Sequence, residues 1–310
     1  MAAFVEVRKE GGVDEASNGA PAWMMVPKPG YNVVFLQDGA KLTVQPTGTG
    51  HIEMLEVTSD SSSVAKASAR VRGSPDAGQL LMTAIKLRQS HRLFLVTPKQ
   101  RGKAALEATG GKGPPVKLEI SVLEKKEVKI AFNFVRFIDP QTKTEKRLTD
   151  SKPGDEKAWL DDMNRIYVNQ ANIYLKWQKA DWVNSPSDFA GLIEKESRLK
   201  DAKDAKIFSD IASQRDTSAG VFNFFLAKDV EHYQREAGTF GFTRSDLRSA
   251  FCDDVDWQPA CLAHELGHFL GLGHGGPKQF LMSQEGAQTK TLNERGNKLS
   301  RKEILTINPL

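Results

Sequence analysis

The sequence predicts an α+β protein in two parts: an all-β sandwich over residues 28–125 and a mixed helix-and-strand domain over 126–310. Three observations predict it. Short β-prone runs alternate with turn clusters between Tyr31 and Leu123. From Val128 onward, strand, helix and strand patterns follow one another. Within this second part, His264-Glu265-Leu266-Gly267-His268-Phe269-Leu270-Gly271-Leu272-Gly273-His274 holds three of the six histidines of the chain.

The elements follow in order. Residues 1–27 mix Gly, Asn, Ala, Glu and Pro without periodicity and read as a flexible leader. Tyr31-Asn32-Val33-Val34-Phe35, His51-Ile52-Glu53-Met54-Leu55 and Leu93-Phe94-Leu95-Val96 read as strands. Gln37-Asp38-Gly39 and Thr47-Gly48-Thr49-Gly50 read as turns between strands. Residues 116–122 form the expected last sandwich strand, and Glu124-Lys125-Lys126-Glu127 marks the boundary. A strand over 128–138 precedes a helix with acids Asp155 and Glu156 in its first turn and Trp159, Met163, Ile166 and Tyr167 at helical spacing. Residues 171–177 read as the next strand, and 187–214 as a helical segment with a charged, solvated face. Residues 221–226 read as a buried strand, and 239–242 and 249–252 as edge strands. The His-bearing helix is expected over 258–270, with Asp256 as cap and Pro259 in its first turn. Ser300 and Glu303 have capping-box spacing, and Ile304, Leu305 and Ile307 are expected to pack the last helix onto the second domain.

Composition narrows the function classes. A length of 310 residues suits two domains, and 39% hydrophobic with 26% charged residues fits an ordinary globular chain. The net charge of +4, from 43 basic and 39 acidic residues, comes without a basic cluster, so nucleic acid is not an expected partner. No apolar run approaches the roughly 18 residues of a membrane span. Residues 1–10 lack the apolar core of a secretory leader, which leaves three readings open: a leader already removed, a protein that stays in the cytoplasm, or export without a cleaved leader; secretion or delivery outside the producing cell is the favoured expectation. Cys252 and Cys261 allow two readings, a disulfide or a pair of buried thiols.

The histidine-rich stretch carries chemistry. His264 and His268, four apart on a helix, point the same way and reach one ion. Glu265 follows the first ligand, placed to take a proton from metal-activated water. Gly271 permits a left-handed helix end that swings the chain, so that His274 returns to the ion from another direction. Three nitrogen ligands leave one tetrahedral position open, which suits a catalytic Zn2+.

HExxHxxGxxH in the form HELGHFLGLGH resembles the zinc signature of the metzincin metallopeptidases, most closely the matrixin-type branch. Met282 follows His274 by eight residues, similar to the matrixin spacing of a methionine turn, and the resemblance makes it the apolar floor beneath the imidazoles. Taken alone, Met282 reads as core packing. Ser283-Gln284-Glu285 departs from the Pro and Tyr that matrixins place after the methionine. The resemblance implies a zinc endopeptidase acting on protein or peptide substrates, with Glu265 as general base. It also implies a substrate-binding strand edge near 238–244. Residues 58–65 and 102–108 resemble stretches of bacterial immunoglobulin-like domains, which makes the sandwich an expected delivery or target-recognition module. A toxin-like protease is one form of that reading. A zinc-stabilised binding protein without catalysis and an adhesin that trims itself remain open. No second oxyanion donor can be named: Tyr233 and His232 read as surface residues, and His51 and His91 are expected to have no metal role.

Overall fold

The computed structural model describes residues 2–7, 13–14, 20–74, 76, 78–110, 113–188, 202–228, 241–253, 258–276, 280–283 and 297–310. The chain is α+β and separates into two compact units that are discontinuous in sequence. The first comprises residues 1–126, 167–173 and 299–310; the second comprises 127–166 and 174–298.

In the first unit, one antiparallel sheet has the order β1 (Ala3–Val5), β4 (Asn32–Gln37), β7 (Arg92–Pro98), β6 (Ile52–Val57). The other has the order β2 (Val13–Asp14), β3 (Ala22–Lys28), β9 (Val116–Glu124), β8 (Gly102–Thr109), β5 (Thr43–Thr47), with only β3 and β9 running parallel. Val34, Leu36, Phe94 and Val96 from the first sheet share a core with Met24, Val26, Leu106, Ile120 and Val122 from the second. Alternation along β4 and β7 sends Val33, Phe35, Leu93 and Leu95 to the opposite face. There they pack beneath Ala67 and Val71 of α1 (Ser61–Val71) and Leu80, Leu81 and Ala84 of α2 (Gln79–Leu87).

Two expectations change here. The sandwich is not all-β, because two helices cover one of its sheets; α1 begins inside residues 58–65, one of the stretches read as immunoglobulin-like. Its first turn is held by Asp60, whose carboxylate accepts from the Ser63 amide at 2.7 Å. The leader also contributes β1, β2 and most of β3. Trp23, Met24, Met25 and Val26 are buried, since β3 lies inside its sheet between β2 and β9.

The second unit is built on a sheet of order β11 (Glu145–Arg147), β10 (Lys126–Ile138), β13 (Val221–Ala227), β15 (Ser249–Asp253), β14 (Gly241–Arg244), with β12 (Ile173–Ser185) also pairing β10. The strands β10, β13 and β15 run parallel, and β14 closes the order antiparallel to β15. All seven residues of β13 are buried, as a parallel strand covered on both faces requires. Phe208, Ile211 and Ala212 of α4 (Ala202–Ala212) cover one face, against Phe225 and Phe251. On the other, Phe132 and Phe134 meet Trp159 of α3 (Glu156–Ala171), and Phe222 meets Phe269 of α5 (Gln258–Phe269). The 249–252 segment is an interior strand rather than an edge; among the described residues, β14 takes the terminal place beside it.

The last helix, α6 (Arg301–Ile307), begins at Ser300 with the expected capping box. It belongs to the first unit rather than the second. Asn308 explains why: its amide donates to the carbonyls of Glu124 and Ala171 at 2.9 and 2.7 Å, and Arg301 pairs with Glu119 at 2.7 Å. Asn172, in a left-handed conformation, likewise donates to the Leu123 carbonyl at 2.8 Å.

Candidate metal centre

The helix α5 lies against β14 and β15, which buries Ala260, Cys261, Leu262, Ala263 and Leu266. His264 and Glu265 are each only 5% exposed, His268 is half-buried and His274 is exposed. The cluster therefore runs from the protein interior to solvent.

Gly271 ends the helix at φ +98°, with open space where a side chain would sit, so backbone conformation is what selects glycine there. Its amide donates to the His268 carbonyl at 3.0 Å, and the Leu272 amide donates to the Gly267 carbonyl at 2.9 Å. These two bonds form a Schellman motif. The reversal brings His274 back towards His264 and His268. The three Nε2 atoms stand 3.2, 3.0 and 3.1 Å apart. Nitrogens bound tetrahedrally to one zinc at about 2.05 Å would stand about 3.3 Å apart. The arrangement fits one such ion.

Two main-chain carbonyls orient the rings. His264 Nδ1 lies 2.8 Å from the Leu281 carbonyl oxygen, and His268 Nδ1 lies 2.9 Å from that of Leu272. Each Nδ1 donates its proton there, which leaves the Nε2 lone pair to face the common point. Met282 is fully buried in a turn in which the Ser283 amide donates to Phe280. The Gly275 amide, next to His274, donates to the Met282 carbonyl at 2.9 Å. Leu281 and Met282 thus tie this turn to both ends of the ligand set. Backbone carbonyls leave no mark in residue identity, so sequence reasoning could not name these partners.

Glu265 stands next to the first ligand with its carboxylate against β14. The Thr243 hydroxyl lies 2.8 Å from Glu265 Oε2 and 2.9 Å from the Glu265 main-chain oxygen. Thr243 falls in the segment expected to bind substrate, but no sequence signal ties it to Glu265. Cys252 and Cys261 are buried free thiols. Burial first, and then the hydrogen bond with Cys261, push the Cys252 thiol well above its ordinary value, so it stays protonated. His51 packs over Gly102 and His91 against Phe35, and neither belongs to a metal-binding cluster among the described residues. Tyr233, His232, Asp256, Gln284 and residues 238–240 lie outside the described residues.

No family model and no curated protein matches the sequence. Among solved structures, the chain is similar to a zinc-dependent peptidase from Methanocorpusculum labreanum, at 11% identity and TM-score 0.35 over 58% of this chain and 100% of that one. It is also similar to a chaperone–substrate complex, at 14% identity and TM-score 0.36 over 68% of this chain and 37% of that one. A third is metalloproteinase-II from Bacteroides fragilis, at 13% identity and TM-score 0.35 over 89% of this chain and 81% of that one. At such scores, what the site does must be read from its own side chains.

Proposed function

We propose that the protein is a zinc-dependent peptidase of the metzincin type. The observation that carries the reading is the convergence of His264, His268 and His274 on one point, with Glu265 on the same helix. These imidazoles would hold zinc through Nε2. Bound zinc supplies Lewis acidity, which polarises a carbonyl and acidifies water. Glu265 takes the proton of the attacking water at its carboxylate and returns it to the leaving amine. The outer edge of β14 offers backbone groups with which an extended peptide pairs as a further strand. Met282 supplies an apolar floor to the site, in keeping with its burial. The first unit contributes no described group to this cluster; its proposed role is to direct the peptidase, outside the producing cell, to its targets.

Metal analysis and cleavage of fluorescein-labelled casein test the reading together. Protein purified without added zinc should carry about one equivalent, as a single three-histidine site requires. His268→Ala should lose most of it together with the activity. Full metal content in His268→Ala would sink the site, whereas bound zinc without cleavage of casein or of a diverse peptide library would favour a binding protein.

A further inference from the structure

We propose that Thr243 is a positioning residue that sets the orientation of the Glu265 carboxylate; the inference rests on the peptidase reading above. Alternation along β14 separates two jobs. Phe242 turns to the core face, with ring centroids 5.2 Å from both Phe208 and Phe251. Gly241 and Thr243 turn to the opposite face, towards α5. A Cβ on Gly241 would stand 3.0 Å from Glu265 Oε1 and Cγ and 3.1 Å from Cδ, so glycine is selected there for space. The carboxylate therefore lies against bare backbone at one end of β14 and meets the Thr243 hydroxyl at the other.

A glutamate side chain has three rotatable bonds, and a general base works only from a narrow range of positions. The Thr243 hydroxyl reaches both the main-chain oxygen and Oε2 of the same residue. With one proton to give, the hydroxyl donates to one of these acceptors at a time, and its bond to the charged Oε2 ties the side chain to β14 in one rotamer. Because Glu265 is almost fully buried, a hydrogen bond to its charged form is strong. A purely structural tie between β14 and α5 would instead affect stability and substrate binding.

The test uses the full chain loaded with zinc, with fluorescein-labelled casein as substrate. Thr243→Val should keep its zinc and a KM within about twofold of the parent, while kcat falls between about tenfold and a hundredfold. Thr243→Ser, which keeps the hydroxyl, should return kcat to within about threefold of the parent. An unchanged kcat in Thr243→Val, or an equal loss in Thr243→Ser, overturns the proposal; Thr243→Ala serves where the valine variant does not fold. A second measurement needs neither zinc nor activity. Thermal unfolding of zinc-free Thr243→Val, Glu265→Ala and the double variant should be non-additive by about 2 °C or more. Additive shifts overturn the contact. A parent that cleaves no peptide refutes the peptidase reading instead, and the unfolding cycle still decides whether Thr243 holds Glu265.

Discussion

Two sites, one in each unit, use polar side chains differently. In the first unit, Asp76, Arg92 and Trp23 close on partners inside the fold. Asp76 accepts from the Tyr31 hydroxyl at 2.7 Å, from Ser74, and from the Gly78 and Leu80 amides. Arg92 forks onto Glu56 with two bonds of 2.7 Å, and the Trp23 indole donates to Ser121. In the second unit, three imidazoles aim their Nε2 atoms at one another from about 3 Å, with two Nδ1 protons already committed to carbonyls. Lone pairs converging in this way repel unless a cation lies between them. Closed polar networks hold a fold, and lone pairs aimed at one point mark where a cation belongs.

The largest expected effect is on chemistry. Glu265→Ala should retain its zinc and lower casein cleavage by about a thousandfold or more, since the ligand set is complete without it. Comparable turnover at equal metal content would show that Glu265 is not the base, and the converging imidazoles would then mark a metal site alone.

Next comes the dependence of one chain segment on another. A fragment starting at Val128 keeps residues 167–173 and 299–310 but lacks the rest of their unit, including the Leu123, Glu124 and Glu119 partners of Asn172, Asn308 and Arg301. It should be less stable than the full chain by about 3 kcal/mol or more, from several lost buried hydrogen bonds. Equal melting temperatures for fragment and full chain would show that these segments gain nothing from the first unit.

Asp76→Ala should cost about 2 kcal/mol, because it removes a helix-start acceptor and the carboxylate that takes the Tyr31 hydroxyl proton. Burial alone would raise the Asp76 carboxyl, but the bonds from Tyr31, Ser74 and the two amides outweigh it and hold it below its ordinary 3.8. A lowered folded value stabilises above the unfolded value and loses that contribution as pH falls through the folded one. Parent and Asp76→Ala should therefore differ at neutral pH and converge in strong acid. A difference independent of pH would mean that the carboxylate charge plays no part. Smallest is Gly271→Ala, expected to cost about 1–2 kcal/mol through its positive φ alone; a zinc-free melting curve matching the parent would show that the turn tolerates a side chain.

The features legible in the sequence were short-range ones. His264 and His268 share a face because a helix repeats every 3.6 residues, and Ser300 with Glu303 caps α6 through atoms three residues apart. The two helices that cover the first sheet, α1 and α2, left a signal in β4 and β7, whose apolar runs are continuous rather than alternating. Such strands need cover on both faces. The serine-rich start of α1 obscured that cover, since its helix depends on Asp60 as cap and on the wide spacing of Val64, Ala67 and Val71.

Local geometry let the residues 264–274 specify by themselves a three-histidine cluster, its adjacent carboxylate and the glycine that bends the chain between ligands. Spacing along one helix and one turn determines where such side chains point. Tertiary structure decided that Thr243 meets Glu265, that the Leu281 carbonyl orients the His264 ring, and that the last helix joins the first unit. Those contacts depend on strand order and register, which bring together residues far apart in sequence, and on main-chain carbonyls that every residue type carries alike.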